Sequence, residues 1–84
     1  MFHATWCEHC FKLIRFWERV AEKYHKKINF GEVECEENED LRDRFSISTF
    51  PSFIYYPDAI TMYTFIGYRN MDNISNWIDN ELWK

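Results

Sequence analysis

The chain reads as an α/β domain with the element order β-α-β-α-β-β-α, its four strands forming a mixed sheet flanked by helices. Three observations predict this. Apolar residues recur at three- and four-residue intervals from Glu8 to about Lys26, the mark of a long amphipathic helix. Two aromatic and β-branched runs flank Pro57-Asp58-Ala59, which is a hairpin signal. After Gly67 breaks the second run, Ile74, Trp77, Ile78 and Leu82 return to helical spacing.

Each element follows in order. Phe2 to Thr5 is short and extended. In the long helix, Cys10, Leu13, Ile14, Trp17, Val20, Ala21 and Tyr24 form the apolar stripe, and Lys12, Arg15, Glu18, Glu22 and Lys23 form the solvated face. Phe11 and Phe16 lie off the stripe, and covering the sheet face is their default role. Ile28 to Cys35 alternates imperfectly and reads as a second strand, burying Cys35. The acids from Glu36 to Asp40 lead a short helix through about Phe45, where they complement the helix dipole. Phe53 to Tyr56 and Thr61 to Ile66 are the hairpin strands, and Asp72 or Asn73 is the expected N-cap of the last helix. The long crossover makes the first two strands parallel, and the short turn makes the last two antiparallel.

Composition narrows the function classes. The chain's 84 residues give room for one domain spanning 1–84, and a 46% apolar share is enough for one core. A net charge of −4, with acids concentrated between Glu32 and Asp40, provides no basic surface to track a phosphate backbone, so nucleic acid is not an expected partner. No window approaches a membrane span, and the first residues carry no signal-peptide pattern, which taken literally indicates a cytosolic protein. Three cysteines are too few for a disulfide scaffold.

The chemistry is concentrated in Trp6-Cys7-Glu8-His9-Cys10. Two thiols three residues apart at a helix start lie on one face, close enough to bridge. Unpaired N–H groups and the positive helix end favour a Cys7 thiolate by roughly 0.3–1 kcal/mol, and a protonated His9 would add to this. Cys7 is thus the candidate nucleophile, and Cys10, one turn deeper, the candidate resolving thiol. The spacing also leaves open half of a zinc site or two structural thiols. A zinc site needs four ligands, and only His3, His9, His25 and Cys35 remain as soft candidates, with no second C-x-x-C.

The C-x-x-C at the start of the first helix and Thr49-Phe50-Pro51 before the third strand together resemble the thioredoxin superfamily. Phe2-His3-Ala4-Thr5-Trp6-Cys7-Glu8-His9-Cys10 is most similar to the protein disulfide isomerase domains, which favour His before the second cysteine. Val33-Glu34-Cys35 and Phe65-Ile66-Gly67-Tyr68-Arg69 add to the likeness. The resemblance implies a thioredoxin-like fold and a thiol–disulfide oxidoreductase acting on protein or peptide thiols and disulfides. It implies Cys7, Cys10, His9 and Arg69 as catalytic residues and Trp6, Phe50 and Pro51 as the substrate-binding surface. Pro51 would be a cis proline turning the Phe50 backbone outward, and Arg69 would swing toward the second cysteine. No prosthetic group or metal is implied, only a redox partner such as glutathione, an oxidase or a reductase. The implied compartment is the endoplasmic reticulum lumen, as part of a longer precursor, and the sequon Asn73-Ile74-Ser75 is consistent with that. A cytosolic thioredoxin-like reductase and a non-catalytic binding module are the alternatives.

This sequence also departs from the family pattern. The extra N-terminal strand and helix of most members are absent. The buried acid six residues before the first cysteine, the family's proton acceptor for the second, falls on Met1. Cys10 should therefore deprotonate slowly. Glu32, where a lysine usually stands, either substitutes as base or points into solvent.

Overall fold

The structure, a computed structural model, describes residues 1–82. The Leu82 side chain, expected on the last apolar stripe, lies outside the described part. Strand β1 (Phe2–His3) leads into α1 (Glu8–Tyr24), β2 (Val33–Glu34), α2 (Glu39–Arg44), the hairpin β3 (Ile54–Tyr55) and β4 (Tyr63–Thr64), and finally α3 (Met71–Leu82). The fold is thioredoxin-like in order and pairing. β1 pairs parallel to β2, with Phe2 opposite Val33 and His3 opposite Glu34. β3 pairs antiparallel to β4, with Ile54 opposite Thr64 and Tyr55 opposite Tyr63. The two ladders meet through one antiparallel bridge, Phe2 to Ser52, whose N–H groups donate to the partner carbonyls at 2.7 and 3.0 Å. In place of the one four-stranded sheet expected, there are thus two two-stranded sheets, β1-β2 and β3-β4, joined by this bridge.

The stripe of α1 is buried at Cys10, Leu13, Trp17 and Val20, spaced three, four and three residues apart. It faces Phe53 from the sheet and Ile74 and Ile78 from α3. Aromatic rings fill this space. Trp17 lies 5.0 Å from Phe30 and 5.2 Å from Phe53, and Phe65 lies 5.6 Å from Trp77. Phe16 packs against the cluster, as expected of a covering residue, whereas Phe11 stays 66% exposed. At its far end, α1 is tied to α3 by the Tyr24 hydroxyl, which donates to Asp79 Oδ1.

The segment expected to form a strand from Ile28 to Cys35 pairs only at Val33–Glu34. The reason is that 28–31 packs on α1 instead. Gly31 O accepts from Trp17 Nε1 at 3.1 Å, and Ile28 and Phe30 are pressed against the core. Their alternation therefore reflects anchoring to a helix and not a ladder. Beyond β2, the Glu34 carboxylate accepts from the N–H groups of Glu36 and Glu37 at 3.1 and 2.9 Å and turns the acidic run into α2.

The Pro57-Asp58-Ala59 turn is held by Asp58. Its carboxylate accepts from Ile60 N at 2.9 Å, Thr61 N at 2.8 Å and the Thr61 hydroxyl at 3.1 Å. These bonds, that from Ile60 foremost, hold the Asp58 carboxyl below its ordinary value. Gly67 then takes φ +134, a conformation in which a side chain would be strained. Asn70, and not Asp72 or Asn73, supplies the cap of α3: its Oδ1 accepts from Asn73 N at 2.8 Å. Asp72 and Asn73 fall inside the first turn. Asn70→Ala is accordingly expected to lower stability by about 1 kcal/mol in urea unfolding, and Asp72→Ala to have a smaller effect.

Candidate active site

β1 ends in a turn that delivers Cys7 to the start of α1, with Cys7 N donating to Ala4 O at 3.1 Å. Cys7 is the N-cap in extended conformation, φ −85 and ψ 105. Its Sγ accepts from Cys10 N at 3.2 Å, so a thiolate there gains a direct donor as well as the helix dipole. One turn on, Cys10 is bonded to Cys7 as a disulfide, with Cα atoms 5.3 Å apart. Both sulfurs are shielded, Cys7 at 6% exposure and Cys10 at 2%. His9 and Glu8 between them point to the surface.

The second wall of the site comes from the segment before β3. The Phe50–Pro51 peptide bond is cis. Pro51 is fully buried, and its neighbour Ser52 is clamped through the Phe2 bridge to β1, the strand that leads into the cysteine turn. The exposed Trp6 ring meets the edge of Phe50 at 5.5 Å. Trp6, Cys7 and Phe50 thus form one apolar lip, beside which Phe11 is also exposed. Arg69 Nη1 donates to Pro51 O at 2.9 Å, so in this state the guanidinium braces the proline loop.

The structure thus brings Trp6, Cys7, Cys10, Phe50, Pro51 and Arg69 into one region, with His9 on its surface. Met1, at the position the resemblance gives to a buried acid, is packed in the core. Glu32 neither enters that core nor stands alone: its Oε1 lies 3.7 Å from His3 Nε2. His3 also borders a small cavity against Cys10, together with Ala4, Thr5, Phe11 and Ile14. Sequence reasoning considered His3 only as a metal ligand. The signal that would have found it is the β1–β2 register, since pairing His3 with Glu34 brings Glu32 to the same edge. Among the described residues, no three His, Cys, Asp or Glu side chains converge as a metal-holding group.

Cys35 is buried immediately after β2 and forms no disulfide. Burial, and then the Glu34 carboxylate, push its thiol above the ordinary value, which keeps it protonated and out of the exchange chemistry. The sequon asparagine, Asn73, lies in the first turn of α3, where its amide donates to Tyr68 O at 3.0 Å.

A family model described as Thioredoxin matches residues 1–80. The chain belongs to the thioredoxin family. It is 32% identical over 77 residues to protein disulfide-isomerase 2-3 of Arabidopsis thaliana, which covers 90% of this chain and 18% of that one. It is likewise 32% identical over 83 residues to human protein disulfide-isomerase A2, covering 94% of this chain and 15% of that one. The chain therefore spans less than a fifth of the length of these relatives. In fold, it matches a crystal structure of the J-Trx1 fragment of ERdj5 with a TM-score of 0.84 at 18% identity, over 99% of this chain and 41% of that one. It also matches the structure of a malarial protein with a TM-score of 0.78 at 24% identity, over 94% of this chain and 89% of that one. The relatives and the Cys7–Cys10 pair together mark a thiol–disulfide oxidoreductase type of site. Among the described residues, no helix is long and apolar enough to cross a membrane.

Proposed function

We propose that residues 1–84 act as one domain that exchanges disulfides with protein substrates in the manner of a protein disulfide isomerase. The observation that carries this reading is a cysteine capping a long helix, bridged to a second, more deeply buried cysteine, beside an aromatic lip and a cis proline. In the oxidising direction, a substrate thiolate attacks the Cys7 sulfur of the disulfide and Cys10 leaves. In the reducing direction, the Cys7 thiolate attacks a substrate disulfide and Cys10 resolves the mixed disulfide. Trp6 and Phe50 receive apolar substrate side chains, and the backbone around Phe50 and Pro51 pairs with an extended substrate segment. Arg69 holds the Pro51 carbonyl, and its release from that bond would free the guanidinium to move toward Cys10. Glutathione, or an oxidase or reductase, supplies the partner couple, and the endoplasmic reticulum lumen is the compartment suited to the His-containing motif.

A second reading, a substrate-binding module with weak turnover, is favoured by one observation: Met1 buries an apolar side chain where the resemblance expects an acid.

Equilibration in glutathione buffers of graded potential, with free thiols alkylated and counted by mass, tests both readings. A two-thiol transition near about −180 mV is expected for the isomerase type. A transition near about −270 mV would instead make the domain a reductase. Absence of any two-thiol transition would leave the binding module.

A further inference from the structure

The resolving cysteine has a difficulty that its own position creates. Cys10 is 2% exposed, yet only its thiolate can attack a mixed disulfide, so its proton must pass to a neighbouring group and not directly to bulk water. With an apolar methionine packed in the core below, a base has to come from elsewhere.

The small cavity beside Cys10 supplies one. It has a volume of about 80 Å³ and is walled by Ala4, Phe11 and Ile14, with Thr5 at its edge. Besides Cys10, its one titratable wall residue is His3. That volume has room for one or two waters at roughly 30 Å³ each, enough to connect a sulfur and an imidazole without direct contact. On its other side, His3 Nε2 faces Glu32 Oε1 at 3.7 Å, and the two side chains are 15% and 34% exposed. Nε2 is therefore the ring nitrogen turned to the carboxylate, and Nδ1 is the one left to accept a proton. The backbone fixes the ring's origin, since His3 O accepts from Cys35 N at 2.8 Å.

We propose that His3 is the proton acceptor of Cys10, acting across this cavity, with Glu32 as its positioning residue. This rests on the exchange reading above. In the step, the Cys10 thiol gives its proton through water to His3. The sulfur's electron pair forms the Cys10–Cys7 bond, and the bond from Cys7 to the substrate sulfur breaks. The departing pair stays on that substrate sulfur, which takes a proton from solvent. The domain is thereby oxidised from dithiol to disulfide and the substrate disulfide is reduced. In the reverse direction the His3 imidazolium returns the proton to Cys10 as it leaves. Other charged or titratable groups around His3 are Glu34, opposite it on β2, Cys35, whose N–H bonds its carbonyl, and Glu36, which accepts from the Thr5 hydroxyl at 3.3 Å. The Glu34 carboxylate is bonded by the Glu36 and Glu37 N–H groups and also interacts with His3 electrostatically, while Glu32 is the carboxylate within ion-pair distance of the ring.

Single-turnover mixing of the reduced chain with oxidised glutathione tests this, with acid quenching and mass separation of the dithiol, mixed-disulfide and disulfide forms. Appearance of the mixed disulfide reads attack by Cys7, and its decay reads resolution by Cys10. His3→Gln is expected to slow resolution about 100-fold at neutral pH while leaving attack within about two-fold. Glu32→Gln is expected to slow resolution about 10-fold. In His3→Ala, added imidazole should restore resolution, a rescue that a merely structural role would not give. Resolution at the wild-type rate in His3→Gln would overturn the assignment, as would equal slowing of both steps with no imidazole rescue. A wild-type chain that forms no mixed disulfide at all would instead sink the exchange reading, and this inference with it.

Discussion

A Cys10→Ala chain is expected to accumulate protein substrates as stable mixed disulfides, while Cys7→Ala accumulates none, and both lose insulin reduction by about three orders of magnitude or more. The asymmetry follows from position. Cys7 sits where the first turn of α1 offers unpaired N–H groups, and Cys10 N already points at its sulfur. Without Cys10 that nucleophile is intact, so attack proceeds, but nothing nearby can displace the substrate. Cys35 cannot take over, because it is buried behind β2 with its thiol held protonated. Without Cys7 the remaining thiol is shielded from any protein-sized partner. Gel analysis of alkylated complexes under non-reducing conditions reads the trap, and insulin turbidity reads the loss. Equal turnover by Cys7→Ala and the unaltered chain would remove the enzyme reading altogether.

What was legible of this site, and what was not, separates by physical range. The cysteine pair was legible because its geometry is local: a three-residue spacing at a helix start fixes both sulfurs without reference to the remainder of the chain. The lip formed by Trp6 and Phe50 needed the resemblance, because those residues are more than 40 positions apart and no periodicity joins them. Arg69 was expected to serve the second cysteine, and the structure finds it on the Pro51 carbonyl. His3 was least legible. Its relevance depends on three things at once: the parallel register of β1 on β2, the side chains of Phe11 and Ile14 closing a cavity, and Glu32 reaching back across the sheet edge.

The fold shows the same division. The helix from Glu8 was readable to within two residues of its end, because a strong apolar stripe of 3.6-residue period admits few alternatives. Strand lengths were not readable. Ile28 and Phe30 alternate as strand residues do, yet their partners are Trp17 and the core face of a helix, and alternation alone does not distinguish these surroundings. The cap of α3 was misplaced by two or three residues because three candidates, Asn70, Asp72 and Asn73, stand within four positions, and only the backbone path after Gly67 selects the first.

The largest stability effect is expected at Phe53. It lies between the Ser52 bridge and β3, is 1% exposed, and packs against Trp17 of α1 on one side and Phe65, ahead of α3, on the other at 6.3 Å. Its carbonyl also accepts from Phe65 N at 2.9 Å, so the ring ties the hairpin to α1 while the backbone ties the two hairpin arms together. Phe53→Ala removes the ring from the middle of this stack and leaves a cavity that Trp17, already bonded to Gly31 O, cannot swing to fill. Such truncations cost about 3–5 kcal/mol. A domain of this length has roughly 4–13 kcal/mol in total, so the variant is expected to be partly unfolded at 37 °C or to melt of order 20 °C lower. Phe11→Ala, which removes an equally large but exposed ring one residue from Cys10, should change stability by no more than about 0.5 kcal/mol. Thermal unfolding followed by far-ultraviolet circular dichroism, with both variants in the oxidised form, measures the contrast. If the two variants melted together, the aromatic stack around Phe53 would not be what holds the sheet to α1.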